Sequence, residues 1–251
     1  MNVKTEQIPK ELAEQVRKSF EAQEYRVYLE EVPEKIERSS NLLIFGDGDY
    51  LLRENIIGRF MRKVSDRKVP SLGDGPCNEF SMFLPEIPIS ILRQQVAFYR
   101  EVMKKHQNAE AYTLILWDKE EKKYLVTCPE QEVSGATVVY SLDMARYPSS
   151  RYIQVVSCHS HDTMGAFFSG VDDADEKADM LYMVLGRLDR DIPEYKIRAN
   201  LKGREICKLD MDFLFDCSEQ EYKDLAPSWK GKANFNEEWL ENVVPLRRSI
   251  H

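Results

Sequence analysis

The chain has 251 residues, enough for one large domain or a medium domain with an appendage, and its 43% hydrophobic and 31% charged residues are ordinary for a globular protein. A net charge of −8 without a basic stripe argues against nucleic acid as the principal ligand. No apolar run approaches the ~20 residues that span a bilayer, and the first residues lack a signal-peptide core, so a membrane or secreted protein is not expected. Five cysteines (Cys77, Cys128, Cys158, Cys207, Cys217) are widely spaced with no CxxC pair, which reads as free thiols in a reducing, cytoplasmic compartment.

Residues 1 to about 80 read as an amino-terminal α+β extension of unknown role, opening with a charged segment expected to be helical. Residues 41–45 and 50–52 are apolar runs around Gly46-Asp47-Gly48-Asp49, the pattern of a hairpin. The Asp-rich turn lacks the twelve-residue ligand pattern of a calcium loop and its glutamate. The Gly- and Pro-rich stretch 70–76 is the expected domain boundary.

From Pro85 to Asp216 the pattern is that of one α/β unit, a twisted sheet flanked by helices. A helix is expected over 90–105, with Leu92, Val96, Tyr99 and Met103 on one face. Strands follow near 112–117, 124–127, 137–140 and 152–158, the first two joined by a polar hairpin loop at 118–123. Beyond Asp172 the residues Ala174, Ala178, Leu181, Tyr182, Leu185 and Leu188 recur at helical spacing, so a helix is expected to begin near Asp172 or Asp173. Strands near 195–201 and 205–215, joined around Gly203, complete the unit. Residues 217–251 read as an irregular tail with a short helix near 237–243.

The chemistry concentrates at His159-Ser160-His161, followed by Ser169 and Asp172. The chain has only four histidines, and two of them stand one residue apart at the end of an expected strand. On a strand, residues i and i+2 project from the same side, so both imidazoles can meet one ion. A carboxylate eleven residues on, at the start of a helix, can return as a third ligand. Two His and one Asp leave a fourth tetrahedral position open, the pattern of a catalytic zinc site with one Zn2+ per chain. Asp173 and Asp175 compete with Asp172 for this role, and Asp172 or Asp173 could instead be the helix N-cap, with Ser169 an ordinary turn residue. Cys158 adjoins His159, but neighbours on a strand point to opposite faces, which argues against a cysteine nucleophile.

The spacing His159-x-His161-x7-Ser169-x-x-Asp172 resembles the signature of the JAMM (MPN-plus, JAB-domain) zinc metalloproteases. The stretch from His159 to Glu176, with Gly186-Arg187-Leu188, is similar more narrowly to protein A of the bacterial PRTRC gene systems. The resemblance covers about half the chain and implies a cytidine-deaminase-like JAMM topology and a zinc-dependent peptidase or isopeptidase. It implies a general base on an earlier strand, which maps to Glu110, standing before the apolar run 111–117. By residue type alone Glu101, Glu120, Glu121, Glu130 and Glu132 remain rivals. It also implies that Ser169 donates a hydrogen bond to the oxyanion. Many members carry Pro after the second His, where this chain has Asp162. The PRTRC likeness implies a ubiquitin-like protein and a ThiF-like activating enzyme as neighbours, and hence a protein substrate of that kind. Two other classes stay open: a binding scaffold of the same fold without activity, and another zinc hydrolase such as a deaminase, whose H-x-E and P-C-x-x-C patterns are absent.

Overall fold

The computed structural model describes residues 25–106, 109–134, 138–229 and 234–246. The chain divides into two units, Met1–Leu84 and Pro85–His251. The helical opening expected of the first unit lies outside the described residues, as do Asn108 and Thr137. Among the described residues no helix is long and apolar enough to cross a membrane. The architecture is mixed α/β, mostly strands in three open mixed sheets with few helices.

The described part of the first unit is one five-stranded sheet, β1 (Arg26–Leu29), β2 (Ser40–Phe45), β3 (Gly48–Glu54), β4 (Gly58–Asp66) and β5 (Glu79–Met82), in sequential order. β2 and β3 form the hairpin that the apolar runs around the Gly/Asp turn imply. Alternation turns Leu43, Phe45, Tyr50, Leu52 and Met61 into its core. Asp47 accepts from Tyr50 Oη (2.7 Å), Lys63 Nζ (3.0 Å) and the Gly75 amide (2.7 Å), so this turn is braced from within the protein. The stretch 70–76 folds back on it, Gly46 donating to Gly73 O at 2.7 Å. Because β5 then pairs with β4, the unit extends to Leu84.

In the second unit a six-stranded sheet runs in the order β13-β12-β11-β10-β6-β7, with β6 (Tyr112–Asp118), β7 (Lys123–Thr127), β10 (Tyr152–Ser160), β11 (Met180–Gly186), β12 (Glu194–Asn200) and β13 (Glu205–Leu209). Helix α1 (Ile89–Lys105) covers one face: Gln95 Nε2 donates to Thr113 Oγ1 (2.9 Å), and Tyr99 Oη donates to Cys158 O (3.1 Å). On the other face Tyr112, Leu114 and Leu116 gather Leu125, Val138, Leu142, Tyr147 and Tyr152. A small sheet, β14 (Val243–Pro245), β8 (Glu130–Val133) and β9 (Val138–Ser141), completes the unit.

Two expectations fail here. The helix expected from Asp172 through Leu188 is only α2, Gly170–Asp175; Met180–Gly186 is strand β11, all seven residues of which are buried. A short apolar run buried on both faces has no period that separates strand from helix, and at the centre of a sheet the strand wins. The strand expected over 205–215 stops at Leu209, and Met211–Leu214 forms helical turn α3. That turn redirects the chain to Ile87, whose amide donates to Leu214 O at 2.8 Å while Asp216 N donates back at 3.0 Å. Beyond Cys217 the chain forms α4 (Glu219–Leu225), two 3₁₀ turns and β14, and Trp239 meets Phe98 of α1 edge-on at 5.6 Å.

The central position of β11 has a testable consequence. Leu185→Ala, at a fully buried site, should lower unfolding free energy by about 2–5 kcal/mol in urea titrations. Val171→Ala, at a position 68% exposed, should change it by no more than about 0.5 kcal/mol. Equal effects would contradict the placement of β11.

Candidate metal centre

β10 sets out the first two donors by alternation. His159 and Ser157 share one face, paired on β11 with Val184 and Tyr182, while Cys158 points the other way beneath α1. Cys158 is fully buried, and burial pushes its thiol up to about 12, which removes it as a nucleophile at neutral pH. His161 follows directly after the strand and donates its amide to Leu185 O at 2.7 Å.

The loop after His161 is fixed by close backbone contact. Met164 N donates to His161 O (2.8 Å) and Arg187 N to Met164 O (2.7 Å). A Cβ at Gly186 would stand 2.5 Å from Ala166 N and from Gly165 C, so only glycine allows this approach. The reward is an oriented imidazole: His161 Nδ1 lies 3.3 Å from Gly165 O, which can only accept, so the proton sits on Nδ1 and Nε2 keeps its lone pair. Asp162 has φ +47°, a left-handed backbone that Asp tolerates and a proline ring cannot adopt, and its carbonyl accepts from Leu188 N at 2.8 Å. The departure from proline is therefore built into the turn.

The third donor arrives on α2. Ser169 is its N-cap, and a capping box ties it to Asp172: Asp172 N donates to Ser169 Oγ (3.3 Å) and Ser169 N donates to Asp172 Oδ2 (2.6 Å). The N-cap is thus Ser169, not Asp172 or Asp173; Asp172 closes the box with Oδ2 while its Oδ1 faces His159 Nε2 at 3.4 Å. His159 Nε2 and His161 Nε2 are 3.2 Å apart, and the three donor atoms all lie within 4.8 Å of one another. Ligands 2.0–2.1 Å from a tetrahedral zinc stand about 3.4 Å apart, which the His159–His161 and His159–Asp172 separations match. Asp173 turns instead to Arg198 at 2.7 Å, and Asp175 is exposed. Among the described residues no other group of three His, Cys, Asp or Glu donors converges in this way.

The group opens into a cleft of about 590 Å³ that Glu110, Ser169, Tyr112, Tyr140, Phe167 and Tyr182 also line. Glu110 stands just before β6, only 7% exposed, held by its amide donating to Ser134 O at 2.9 Å. None of its rivals lines the cleft: Glu101 pairs with Lys104 on α1, Glu120 and Glu121 lie in the β6–β7 turn, and Glu130 and Glu132 are exposed on β8. Burial, then the charges of Asp162 and Asp172, push the Glu110 carboxyl up to about 8. Burial also raises Asp162 to about 7 and lowers His159 to about 4, against the pull of Asp172. Both histidines are therefore neutral at pH 7, the form that ligates a metal.

Several residues of the site carry no signal in sequence spacing. Tyr112 Oη bonds Ser157 Oγ at 2.7 Å and its ring stacks on Tyr140 at 3.7 Å, forming one wall. Phe167 meets the His161 ring edge-on at 4.5 Å. Arg198 and Glu176, 22 positions apart, form a buried ion pair beside α2. Compared with protein-family models and with curated proteins, the chain matches none.

Burial of Glu110 predicts a pH-dependent stability. A carboxyl whose folded value exceeds its ordinary one gives stability that is fully present below about 4.5 and lost as pH rises through about 8. In chelator-treated protein, Glu110→Gln should therefore raise the melting temperature at pH 8 and leave it unchanged near pH 4. Thermal melts by circular dichroism check this, and no gain at pH 8 would contradict the burial.

Proposed function

We propose that the chain is a zinc-dependent amide hydrolase, a JAMM-type peptidase or isopeptidase that acts on a protein tail. The observation that carries this reading is the convergence of His159, His161 and Asp172 in a cleft that Glu110 also lines. The fold we propose for this unit is of the JAMM type, its mixed sheet carrying α1 on one face and the donor group on the other. Zinc, when held there, supplies Lewis-acid activation of a water nucleophile and of the amide carbonyl.

The chain's own groups would divide the remaining work. His159 and His161 present Nε2 lone pairs, the latter oriented by Gly165 O, and Asp172 presents Oδ1. Glu110 takes the proton of the attacking water and passes it to the leaving amine. Burial pushes the Glu110 carboxyl up in the metal-free protein, and a dication held beside it would favour the carboxylate, the form that accepts the proton. Ser169 Oγ accepts from the Asp172 amide, which leaves its own hydrogen to donate to the developing oxyanion. The substrate we propose is the carboxyl tail of a small ubiquitin-like protein, matured or released from a lysine. Residues of the first unit would contribute to its selection, because one zinc site cannot choose a protein by itself.

Purified protein should carry about one zinc per chain, and His159→Ala with His161→Ala should abolish it. Elemental analysis decides this, and equal zinc in both proteins would sink the assignment. Glu110→Gln should retain zinc while hydrolysis of an extended or conjugated ubiquitin-like partner falls roughly 10²-fold or more. Near-full turnover in that variant would move the base elsewhere. A partner left intact by zinc-replete wild type across several tail lengths would defeat the substrate proposal.

A further inference from the structure

Helix α2 cannot hold itself in place. It has six residues, none of them buried, whereas isolated helices shorter than roughly 12 residues are marginal in water. The capping box fixes its first turn internally but does not attach it to the sheet. Yet the helix carries Asp172, whose Oδ1 must stay opposite His159.

One side chain makes that attachment at three points. Arg198 lies on β12 directly opposite Tyr182 of β11, which in turn is registered with Ser157 of β10, so Arg198 stands on the sheet face that carries His159. It is 4% exposed. Its Nη1 donates to Asp173 Oδ1 at 2.7 Å, and its Nε donates to Glu176 Oε2 at 2.8 Å, with Nη2 2.6 Å from the same oxygen. The guanidinium carbon rests 3.8 Å from the centre of the Phe168 ring. Asn200, two residues along the same face, adds a bond from Nδ2 to Glu176 Oε2 at 3.0 Å. These contacts grip the chain at 168, 173 and 176, on both sides of Ser169 and Asp172.

We infer that Arg198 is the positioning residue for Asp172, clamping the α2 turn so that its carboxylate meets the two histidines; the inference rests on the metal reading of that group. Arginine suits the task because its planar fork bonds two carboxylates while its face stacks on an aromatic ring. Residues that orient a metal ligand without touching the metal contribute about 10–100-fold in metal affinity.

The test uses the full chain and compares wild type, Arg198→Lys, Arg198→Met, and Arg198→Met with Glu176→Gln, which avoids leaving a lone buried charge. Lys208→Met, an exposed position paired with Arg198 across β12 and β13, serves as control. Circular dichroism melts establish folding, zinc affinity is read by competition with a chromophoric chelator, and Co2+ loading reports ligand geometry by visible absorption. The double variant should fold, bind zinc 10–100-fold more weakly and alter the Co2+ spectrum. Lysine, which keeps the charge but loses the fork, should recover part of the affinity, and Lys208→Met should match wild type. Folded Arg198 variants with zinc affinity within twofold of wild type and an unchanged Co2+ spectrum would overturn the inference. Wild type that binds no zinc would remove the metal reading and this inference together, an outcome distinct from a failure of the arginine alone.

Discussion

Two parallel neighbouring strands cannot be joined by a tight turn, and β10 and β11 are parallel neighbours at the centre of the sheet. The chain must leave the end of β10, travel back over the sheet and re-enter beside it. That journey, residues 161–179, carries the second half of the site. The histidines stand where the chain leaves, and Asp172 stands on the short helix of the return path. Ligand sites at the carboxyl ends of parallel strands follow from the same constraint in open α/β sheets generally. Here the crossover holds only six helical residues, so its position depends on contacts with its surroundings: the Gly186 approach on one side, the Arg198 contacts on the other.

Electrostatics give the arrangement its chemical character. His159, His161, Glu110 and Asp162 are drawn out of water together, which keeps the imidazoles neutral and presses the Glu110 and Asp162 carboxyls toward their protonated forms. Two of the three donors have a bond that fixes orientation while leaving one lone pair directed at the others: Gly165 O for His161, the Ser169 amide for Asp172. A polar group buried at such cost is retained where it has a task, and perturbed carboxyls in a cleft mark functional sites more often than surface acids do. The opposite face is closed by α1, whose Tyr99 and Gln95 bond the strands from beneath. One side of β10 is thus packing and the other carries the candidate donors, and alternation along a single strand separates them.

The candidate ligands were legible because they obey local rules. His159 and His161 are two apart at a strand end, and Asp172 stands near a helix start; the cap itself is Ser169 rather than Asp172 or Asp173, because the helix begins at Gly170. The hairpin at β2–β3, helix α1 and strands β6, β7 and β10 were legible for the same reason, each having a clear period or turn. β11 was not, because a fully buried strand alternates with nothing. Arg198 and Glu176 were not, because an ion pair between a strand and the loop after a helix obeys no spacing rule. The left-handed backbone at Asp162 is set by the bond from Leu188 N to its carbonyl, a contact across 26 positions that neighbouring residues do not announce.

In the reading proposed above, His159, His161 and Asp172 together hold one zinc ion. X-ray absorption at the zinc edge of the stoichiometrically loaded full chain tests it most directly, because it reads the ligand set rather than the occupancy. The expected spectrum is that of a four-coordinate nitrogen and oxygen environment at about 2.0–2.1 Å with the multiple scattering of two imidazoles. In Asp172→Ala protein the imidazole signature should persist with altered light-atom coordination. A sulfur shell near 2.3 Å, pointing to cysteine, or a spectrum without imidazole scattering would contradict it.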